Sequence, residues 1–304
     1  MVGVTRINLI ELEKVKQLLQ ISEKDLQSSE ILFLSKIYHN AISTFQQSVE
    51  KTVKAEALMN SIFKFDELRR GIGHDPLPMY KSDISKNLQD AEDLKEVIKK
   101  HPELETIPAI QKLNLEDYIS KAKFVKQSLN SISKKEKIFS EDINELDGAI
   151  EEMNKLIEYV KNINMKEITD EGVKTYRKAY VDSVKAYIEI AEKQGQVISE
   201  EEKQQNLEIT EETVKSIADN LRKNLVLNGS IHTLNSILSI FITPHFDFVR
   251  YPDRKNPLEY YNESNPLIMR FDKLILIQKE NLAFNKELFE IIERYYKNKI
   301  RIED

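Results

Sequence analysis

The chain has 304 residues, of which 32% are charged and 40% apolar, and it contains seven glycines, eight prolines and no cysteine. The absence of cysteine excludes disulfides, thiolate metal sites and cysteine nucleophiles and predicts an intracellular, cytoplasmic protein, while the scarcity of glycine and proline favours long helices over short strands. The formal net charge of −6 argues against a generally basic surface, so any contact with nucleic acid is expected through a local basic patch.

The N-terminal sequence MVGVTRINLIELEKVKQLL reaches acidic residues within its first turns, which predicts mature helix rather than a signal peptide. No run of the sequence approaches the roughly 18 apolar residues that a membrane span requires. We therefore expect no contact with a membrane.

Two helices are predicted in the first part of the chain, over residues 9–34 and 37–68. Glu50 precedes Lys54 by four residues on the polar face of the second helix, the favourable order for an intrahelical ion pair. Apolar residues of this helix recur at spacings of three and four and so form one stripe facing a core: Ile42, Phe45, Val49 and Val53.

The segment RRGIGHDPLP, residues 69–78, is predicted to be a compact loop. Its two glycines give the backbone freedom, and its two prolines cannot continue a helix interior. The loop concentrates four residues with functional side chains, Arg69, Arg70, His74 and Asp75.

Residues 82–214 carry long, highly charged helical patterns with predicted breaks at prolines and glycines. Ser140 and Ser199 are predicted N-caps, and Ser199 with Glu202 fits a capping box. The apolar spacing mixes three and four without a long strict heptad, which favours packed helical hairpins over a coiled coil.

The last part of the chain regains apolar density. A strongly apolar helix is predicted to end near Thr243 and Pro244, before a loop that begins at His245. A long final helix is predicted to start at Asn265 as its N-cap, with Pro266 at the first helical position.

Three segments together resemble the HEPN domain family. Gly73–Tyr80 is similar to a His-Asp segment of that family, and Val249–Asp253 looks like the Arg-Tyr-Pro-Asp stretch that precedes its last long helix. The predicted second helix resembles the family's signature helix at Gln46, Gln47, Ser48, Val49, Glu50, Lys51, Val53, Lys54 and Ala55.

The resemblance implies an all-α fold, an antiparallel HEPN-like helical bundle. The segments are farther apart here than in typical members, so we predict a bundle built from residues 9–81 and 215–304, with a charged helical insertion at 82–214. The loops at 69–78 and 249–254 would then lie at the same end of the bundle. We expect them to form one site.

The resemblance also implies a chemistry, because many HEPN proteins are metal-independent endoribonucleases or defence toxins that use an Arg and a His separated by four to six residues. Arg69 and His74 have four residues between them. Histidine titrates near neutral pH and can move the proton of a 2′-hydroxyl, and arginine can hold the phosphate. This pair ends the second helix rather than opening the last one, where the family places its catalytic pair.

A second functional interpretation is a binding surface for RNA or a nucleotide. Arg70, Arg250 and Arg254 would contact phosphates, Asp253 would lie among them, and Tyr251 would offer a face on which a base stacks. The alternative is structural: Tyr251 packs on the bundle end, and Asp253 accepts backbone N–H groups or pairs with Arg250. In the same interpretation His74 caps a helix end or bonds a backbone carbonyl, and Arg69 pairs with a surface carboxylate.

The expected partners follow from these interpretations. The resemblance favours RNA or a nucleotide as ligand, a homodimer, and a nucleotidyltransferase as partner in a toxin–antitoxin or antiviral defence system. A third interpretation is a non-catalytic scaffold that binds a protein partner through residues 82–214. No metal site or cofactor is predicted, because the sequence contains no zinc motif and no glycine-rich phosphate loop.

Overall fold

The computed structural model describes residues 9–107, 110, 114–134, 143–164, 168–250 and 256–303. Within these residues the fold is all-α, without a strand, which confirms the predicted class. The α-helices are α1 (Leu9–Leu34), α2 (Tyr38–Met59), α3 (Leu68–Gly71), α4 (Leu77–Lys100), α5 (Leu115–Lys134), α6 (Ile143–Asn164), α7 (Asp170–Lys193), α8 (Glu200–Leu207), α9 (Glu211–Arg250), α10 (Pro257–Tyr260) and α11 (Phe271–Glu303). Short 3₁₀ turns lie at Pro102–Thr106 and Ile268–Arg270.

The chain forms two compact units. The first unit comprises Met1–Asp83, Leu129–Asn162 and Val226–Asp304. The second unit comprises Ile84–Ser128 and Ile163–Leu225.

The first unit is built on α1, α2 and α11. The bounds predicted for the first helix, 9–34, are those of α1, and a three-residue connection makes α2 its antiparallel neighbour. The predicted stripe of α2 is fully buried, with exposures of 0–1% at Ile42, Phe45, Val49 and Val53. The Phe45 and Phe33 rings both pack on Phe271 of α11 with centroids 5.2 Å apart, which ties the two ends of the chain together.

The predicted end of the second helix at residue 68 is wrong, because α2 ends at Met59. Ser61 adopts a left-handed conformation with φ of +53°. The N–H of Ser61 donates to the carbonyl of Leu58, and the N–H of Ile62 donates to the carbonyl of Ala57. This pair of hydrogen bonds is a Schellman motif, which stops a helix even though serine stands where glycine is usual.

The predicted helix end at Pro244 is also wrong, because α9 continues through Pro244 to Arg250. A proline inside a helix removes one hydrogen bond and costs about 3 kcal/mol. Packing offsets this cost: Ile242 and His245 are each 1% exposed, and the Phe248 ring contacts Tyr260 edge-on. The segment predicted as a loop from His245 onward is therefore helical up to Arg250.

The final helix begins differently from its prediction. Asn265 does act as a cap, since its Oδ1 accepts the N–H groups of Leu267 at 3.0 Å and Ile268 at 3.4 Å. A 3₁₀ turn follows, and the continuous helix α11 starts only at Phe271.

Helix α6 lies in the first unit, although the sequence places it within the predicted insertion at 82–214. Arg270, before α11, forms a bidentate salt bridge to Asp147 of α6, at 2.6 and 2.9 Å. The side chains that α6 contributes to the core of the first unit are Leu146, Ile150, Met153, Ile157 and Val160. The assignment of the HEPN-like domain to particular residue ranges stays a prediction.

The second unit has two small clusters of buried residues instead of one large core. Leu88 and Ala91 of α4 pack with Ile119 and Ala122 of α5. The other cluster consists of Ile168, Val173, Val214 and Ala218. The predicted capping box is confirmed: Ser199 accepts the N–H of Glu202, whose carboxylate accepts the N–H of Ser199.

One described stretch of helix is long and apolar enough to cross a membrane, Glu211–His245 of α9, with a mean hydropathy of 1.5 in its most apolar window. This stretch corrects the expectation that no part of the sequence is apolar enough for a membrane span. Of that window 44% is buried inside the protein, and Leu227, Leu234 and Leu238 lie in the core of the first unit. A core helix of a soluble domain has the same length and apolarity.

Candidate nucleic-acid site

The loop after α2 is fixed by two buried apolar side chains and two glycines. Leu68 and Ile72 are 4% and 3% exposed and anchor the short helix α3. Gly73 has φ of +57°, a conformation that favours glycine. A Cβ on Gly71 would lie 2.6 Å from the Phe63 ring, so a side chain cannot be accommodated there without a shift. The glycines that marked this loop in the sequence are thus required by its geometry.

The two arginines of α3 are exposed. Arg69 and Arg70 follow the buried Leu68 on a helix of one turn, so they point away from the core. Neither forms a salt bridge with any residue that the structure describes, which differs from the predicted pairing of Arg69 with a surface carboxylate. As far as the structure describes the chain, both guanidinium groups are available to an anionic ligand.

His74 is held by the signature helix. Its Nδ1 lies 3.0 Å from Oε2 of Glu50, and the amide of Gln46 donates to its backbone carbonyl at 3.2 Å. The imidazole remains 64% exposed. Because an ionised carboxylate only accepts hydrogen bonds, Nδ1 carries the proton in this contact. The observed contact of Nδ1 is thus with a carboxylate.

Glu50 is a buried carboxylate with two partners. Burial disfavours its ionised form, but hydrogen bonds from Lys54, at 2.5 Å, and from His74 outweigh that effect and hold the pKa of Glu50 below its ordinary value. The predicted ion pair between Glu50 and Lys54 is confirmed. The carboxylate consequently stays ionised at neutral pH and orients the imidazole.

This loop brings together the groups that phosphate chemistry requires. An exposed imidazole oriented by a carboxylate can accept or donate a proton. Exposed arginines beside it can bind phosphate oxygens through two hydrogen bonds at once. The arrangement is suited to contact with a phosphodiester or a nucleotide.

The other half of the predicted site is not described. Arg250 is the last residue of α9, and its side chain lies outside the described residues. Tyr251, Asp253 and Arg254 lie wholly outside them. The association of these residues with Arg69, Arg70 and His74 stays a prediction.

Sequence reasoning missed a second polar cluster, which lies inside the first unit. Glu56 of α2 is fully buried and accepts from His232 Nδ1 at 2.7 Å and from the Asn235 amide at 2.8 Å. The Nε2 atom of His232 lies 3.9 Å from Asp83, and its ring contacts the edge of Tyr80 at a centroid distance of 4.9 Å. The carboxylate thus links α2 to α9.

Burial and nearby carboxylates shift the pKa values of the titratable groups in this part of the core. Burial opposes protonation of His232, but Glu56 and Asp83 outweigh it and raise the pKa of His232 above 6.5. Burial and the Glu56 carboxylate raise the pKa of Tyr80. His245, by contrast, has its pKa lowered to about 3 by burial and pairs with the Tyr261 hydroxyl at 2.7 Å, so it is neutral.

The polar cluster continues across the core as a chain of buried amides and hydroxyls. The Asn281 amide donates to Asn235 and Gln278, and the Gln278 amide donates to Ser48 and Thr52. These hydrogen bonds connect α2, α9 and α11. A signal for them was present in the sequence, since Gln278, Asn281 and Asn285 recur at spacings of three and four, like core positions.

Comparison with known families agrees with the predicted resemblance. The family model of the HEPN domain matches residues 15–163, just under half of the chain. The match includes the signature helix and Gly73–Tyr80, whereas Val249–Asp253 lies beyond it. It also includes α6, which was predicted to lie in the insertion. No curated protein and no solved structure matches the chain.

Proposed function

We propose, from the premise that this chain carries a HEPN domain, that it binds RNA or a nucleotide through the loop of Arg69, Arg70 and His74, which we call the Arg–His loop (residues 68–76). The HEPN domain supports a function related to RNA or nucleotides in general. The observation that carries the finer proposal is the hydrogen bond from His74 to Glu50, which fixes the loop to the signature helix beside two exposed arginines.

Charge at the Arg–His loop favours an anionic ligand even though the chain is acidic overall. The nearest buried acid, Glu50, is paired with Lys54. Arg69 and Arg70 are both exposed. Asp66, Glu67 and Asp75 are exposed in the same segment, but neither arginine forms a salt bridge with them. A phosphate can therefore bind to the two guanidinium groups, and binding of this kind weakens as salt is added.

Arg250 and Arg254 are proposed to extend the basic surface of the Arg–His loop. Tyr251 would offer a ring for base stacking, and Asp253 would position the arginines. For the biological setting we propose a cytoplasmic toxin–antitoxin or antiviral defence system, a homodimer, and a nucleotidyltransferase as partner. Members of the HEPN family often bind RNA and form dimers, which supports this setting.

Binding of labelled single-stranded oligouridine, followed by fluorescence anisotropy, tests the proposal. The Arg69→Ala/Arg70→Ala variant is expected to bind at least about tenfold more weakly and to lower the salt dependence by about two phosphate contacts. A matched control is Lys16→Ala/Lys24→Ala, which removes two positive charges from exposed positions of α1. Equal weakening in both variants would show that the Arg–His loop has no special role.

A second candidate function is a metal-independent endoribonuclease, favoured by the orientation of His74. The 2′-oxygen would attack the phosphorus while His74 takes its proton. The bond from phosphorus to the 5′-oxygen would break, the 5′-oxygen would leave as a hydroxyl with a proton from solvent water, and a 2′,3′-cyclic phosphate would form. Arg69 would stabilise the charge that grows on the phosphate oxygens. We assign Asp75 no role in this step; its carboxylate accepts the N–H of Leu77 at the start of α4.

RNA cleavage in the presence of EDTA tests this second function. His74→Ala is expected to lower the rate by about 10²-fold or more. Glu50→Gln keeps the side-chain shape but removes the charge that orients His74, so it should lower the rate with little effect on RNA affinity. Cleavage that persists in folded His74→Ala protein eliminates the ribonuclease and leaves the binding proposal intact.

A further inference from the structure

The second unit contains a groove that the Arg–His loop does not explain. It lies between α7 and the segment leading into α8 and has a volume of about 510 Å³. Helix α7 contributes Tyr180, Val184 and Tyr187 to its lining, and the facing segment contributes Val197 and Ile198. We call it the tyrosine groove.

Large apolar and aromatic side chains are exposed in the tyrosine groove. Tyr187 is 59% exposed, Tyr180 is 40% exposed and Val197 is 98% exposed. Tyr176, at 56%, extends the same face of α7 because it precedes Tyr180 by one helical turn. An exposed apolar strip rimmed by polar residues is typical of a surface that contacts another molecule.

The exposure of Val197 is built into the local backbone. Gly195 has φ of +81° and reverses the chain after α7, and the N–H of Gln196 bonds to the carbonyl of Ala191. On the other side, the capping box of Ser199 and Glu202 fixes the start of α8. Val197 therefore projects from a connection that is held at both ends.

The surroundings of the tyrosine groove are acidic. Residues 186–212 contain eight glutamates and two lysines. One of these lysines, Lys203, is already paired with Glu192 and Glu200. At 100° per residue, four exposed lysines of α7 lie more than 100° around the helix from Tyr180: Lys174, Lys178, Lys185 and Lys193. Arg177 lies about 60° from Tyr180, but it contacts Glu211 and donates to the carbonyl of Ile209.

We propose that the tyrosine groove binds a basic, partly apolar segment of a protein partner. Lysine or arginine side chains of that segment lie over the rings of Tyr180 and Tyr187 through cation–π contacts, and its apolar side chains pack on Val184, Val197 and Ile198. The surrounding glutamates attract the same segment and raise its rate of association. This surface is independent of the Arg–His loop.

The same charges disfavour other occupants. RNA would bring phosphates beside Glu202, which lines the groove, and into a segment rich in glutamate, although the tyrosine rings alone would suit its bases. A symmetric dimer through this groove would bring two acidic rims together, because a two-fold contact uses the same patch on both copies. The chemistry of the groove thus selects a cationic peptide.

Isothermal titration of the full chain with short synthetic peptides tests the proposal. The probe is an amphipathic peptide of lysine and leucine, compared with a peptide that carries glutamate for each lysine and with a scrambled peptide of the same composition. The lysine–leucine peptide should bind, with an affinity that falls as salt is raised. The glutamate peptide should not bind, and the scrambled peptide should bind more weakly.

Substitution of exposed groove residues supplies the second arm. Tyr187→Ser with Val197→Ser should weaken binding of the lysine–leucine peptide about tenfold, whereas Tyr159→Ser removes a tyrosine of similar exposure, 54%, from α6 and should leave the affinity unchanged. Both positions are exposed, so folding should be unaffected, as circular dichroism will show.

Several outcomes would overturn the proposal. Equal binding of the scrambled peptide, or no effect of the groove substitutions, would mean that charge alone attracts the peptide. Loss of oligouridine binding in Tyr187→Ser/Val197→Ser would assign the groove to nucleic acid. A dimer that dissociates in the same variant, detected by sedimentation, would assign it to a second copy of the chain.

Discussion

The two units of this chain bury their side chains in different ways. The core of the first unit combines α1, α2, α6, α9 and α11 and contains a chain of hydrogen-bonded polar side chains. The second unit has two clusters of four buried residues each and exposes tyrosines on α7. A large core can hold buried polar groups in defined positions, because it places hydrogen-bond partners around them. A small core leaves aromatic side chains on the surface for binding.

From this difference we expect a site that needs precisely placed side chains to lie in the first unit. A site that needs an exposed surface is expected in the second unit. The Glu50–His74 contact depends on a buried carboxylate, which the first unit can hold in place. The tyrosine groove depends on exposed rings and a charged rim, which the second unit supplies without a deep core. Substitutions in the two units should therefore have effects on the free energy of unfolding that differ in magnitude and in physical cause.

The largest difference is expected for truncation of core side chains. Phe45→Ala should lower the free energy of unfolding by about 3–5 kcal/mol, because the ring is fully buried against Phe271 and leaves a cavity that well-packed neighbours cannot fill. Leu88→Ala in the second unit should cost about 2 kcal/mol, the low end for leucine, since its cluster is small and can relax. Urea unfolding followed by circular dichroism measures both. Equal losses would contradict the distinction between the cores.

A smaller effect is expected for the buried polar chain of the first unit. Glu56→Ala leaves the His232 N–H and the Asn235 amide without their acceptor, which should cost about 1–3 kcal/mol in unfolding free energy. In the second unit, Ser199→Ala removes the N-cap of α8 and should cost about 1 kcal/mol. The comparison uses thermal and urea unfolding. A neutral Glu56→Ala would mean that water replaces the carboxylate.

Part of this fold was predictable from the sequence, for identifiable reasons. The bounds of α1, the apolar stripe of α2 and the capping box at Ser199 follow from local periodicity and side-chain chemistry. The ends of α2 and α9 could not be predicted in this way. In α2, Ser61 supplies the left-handed residue of a Schellman motif without glycine, and in α9 the packing around Pro244 allows the helix to continue through it. Such choices are decided by tertiary contacts that no local pattern contains.

Long-range contacts were predictable only in part, because residues that are close in the sequence carry little information about them. The apolar residues of α6 have clear helical spacing, but spacing cannot say which core a helix joins, and α6 joins the first unit. At the candidate site, the Arg69 and His74 spacing drew attention to the loop, whereas the partner of His74, Glu50, lies 24 residues away and only the fold reveals it. The buried Glu56–His232 contact spans 176 residues and was missed for the same reason.

The smallest predicted effect is a pH dependence that belongs to the polar chain of the first unit. Glu56 and Asp83 raise the pKa of His232 above 6.5 in the folded state, so protonation of this histidine favours folding. Its contribution to stability is therefore complete below the unfolded pKa and is lost as pH rises through the folded pKa. The difference in unfolding free energy between the unsubstituted protein and His232→Gln should be largest below pH 6.5 and should shrink at higher pH. The neighbouring Thr233→Ala removes no titrating group and serves as the control in the same urea titrations. If the difference in unfolding free energy stays constant or grows as pH rises, the two carboxylates do not stabilise the imidazolium. Glu56 would then act only as a hydrogen-bond acceptor.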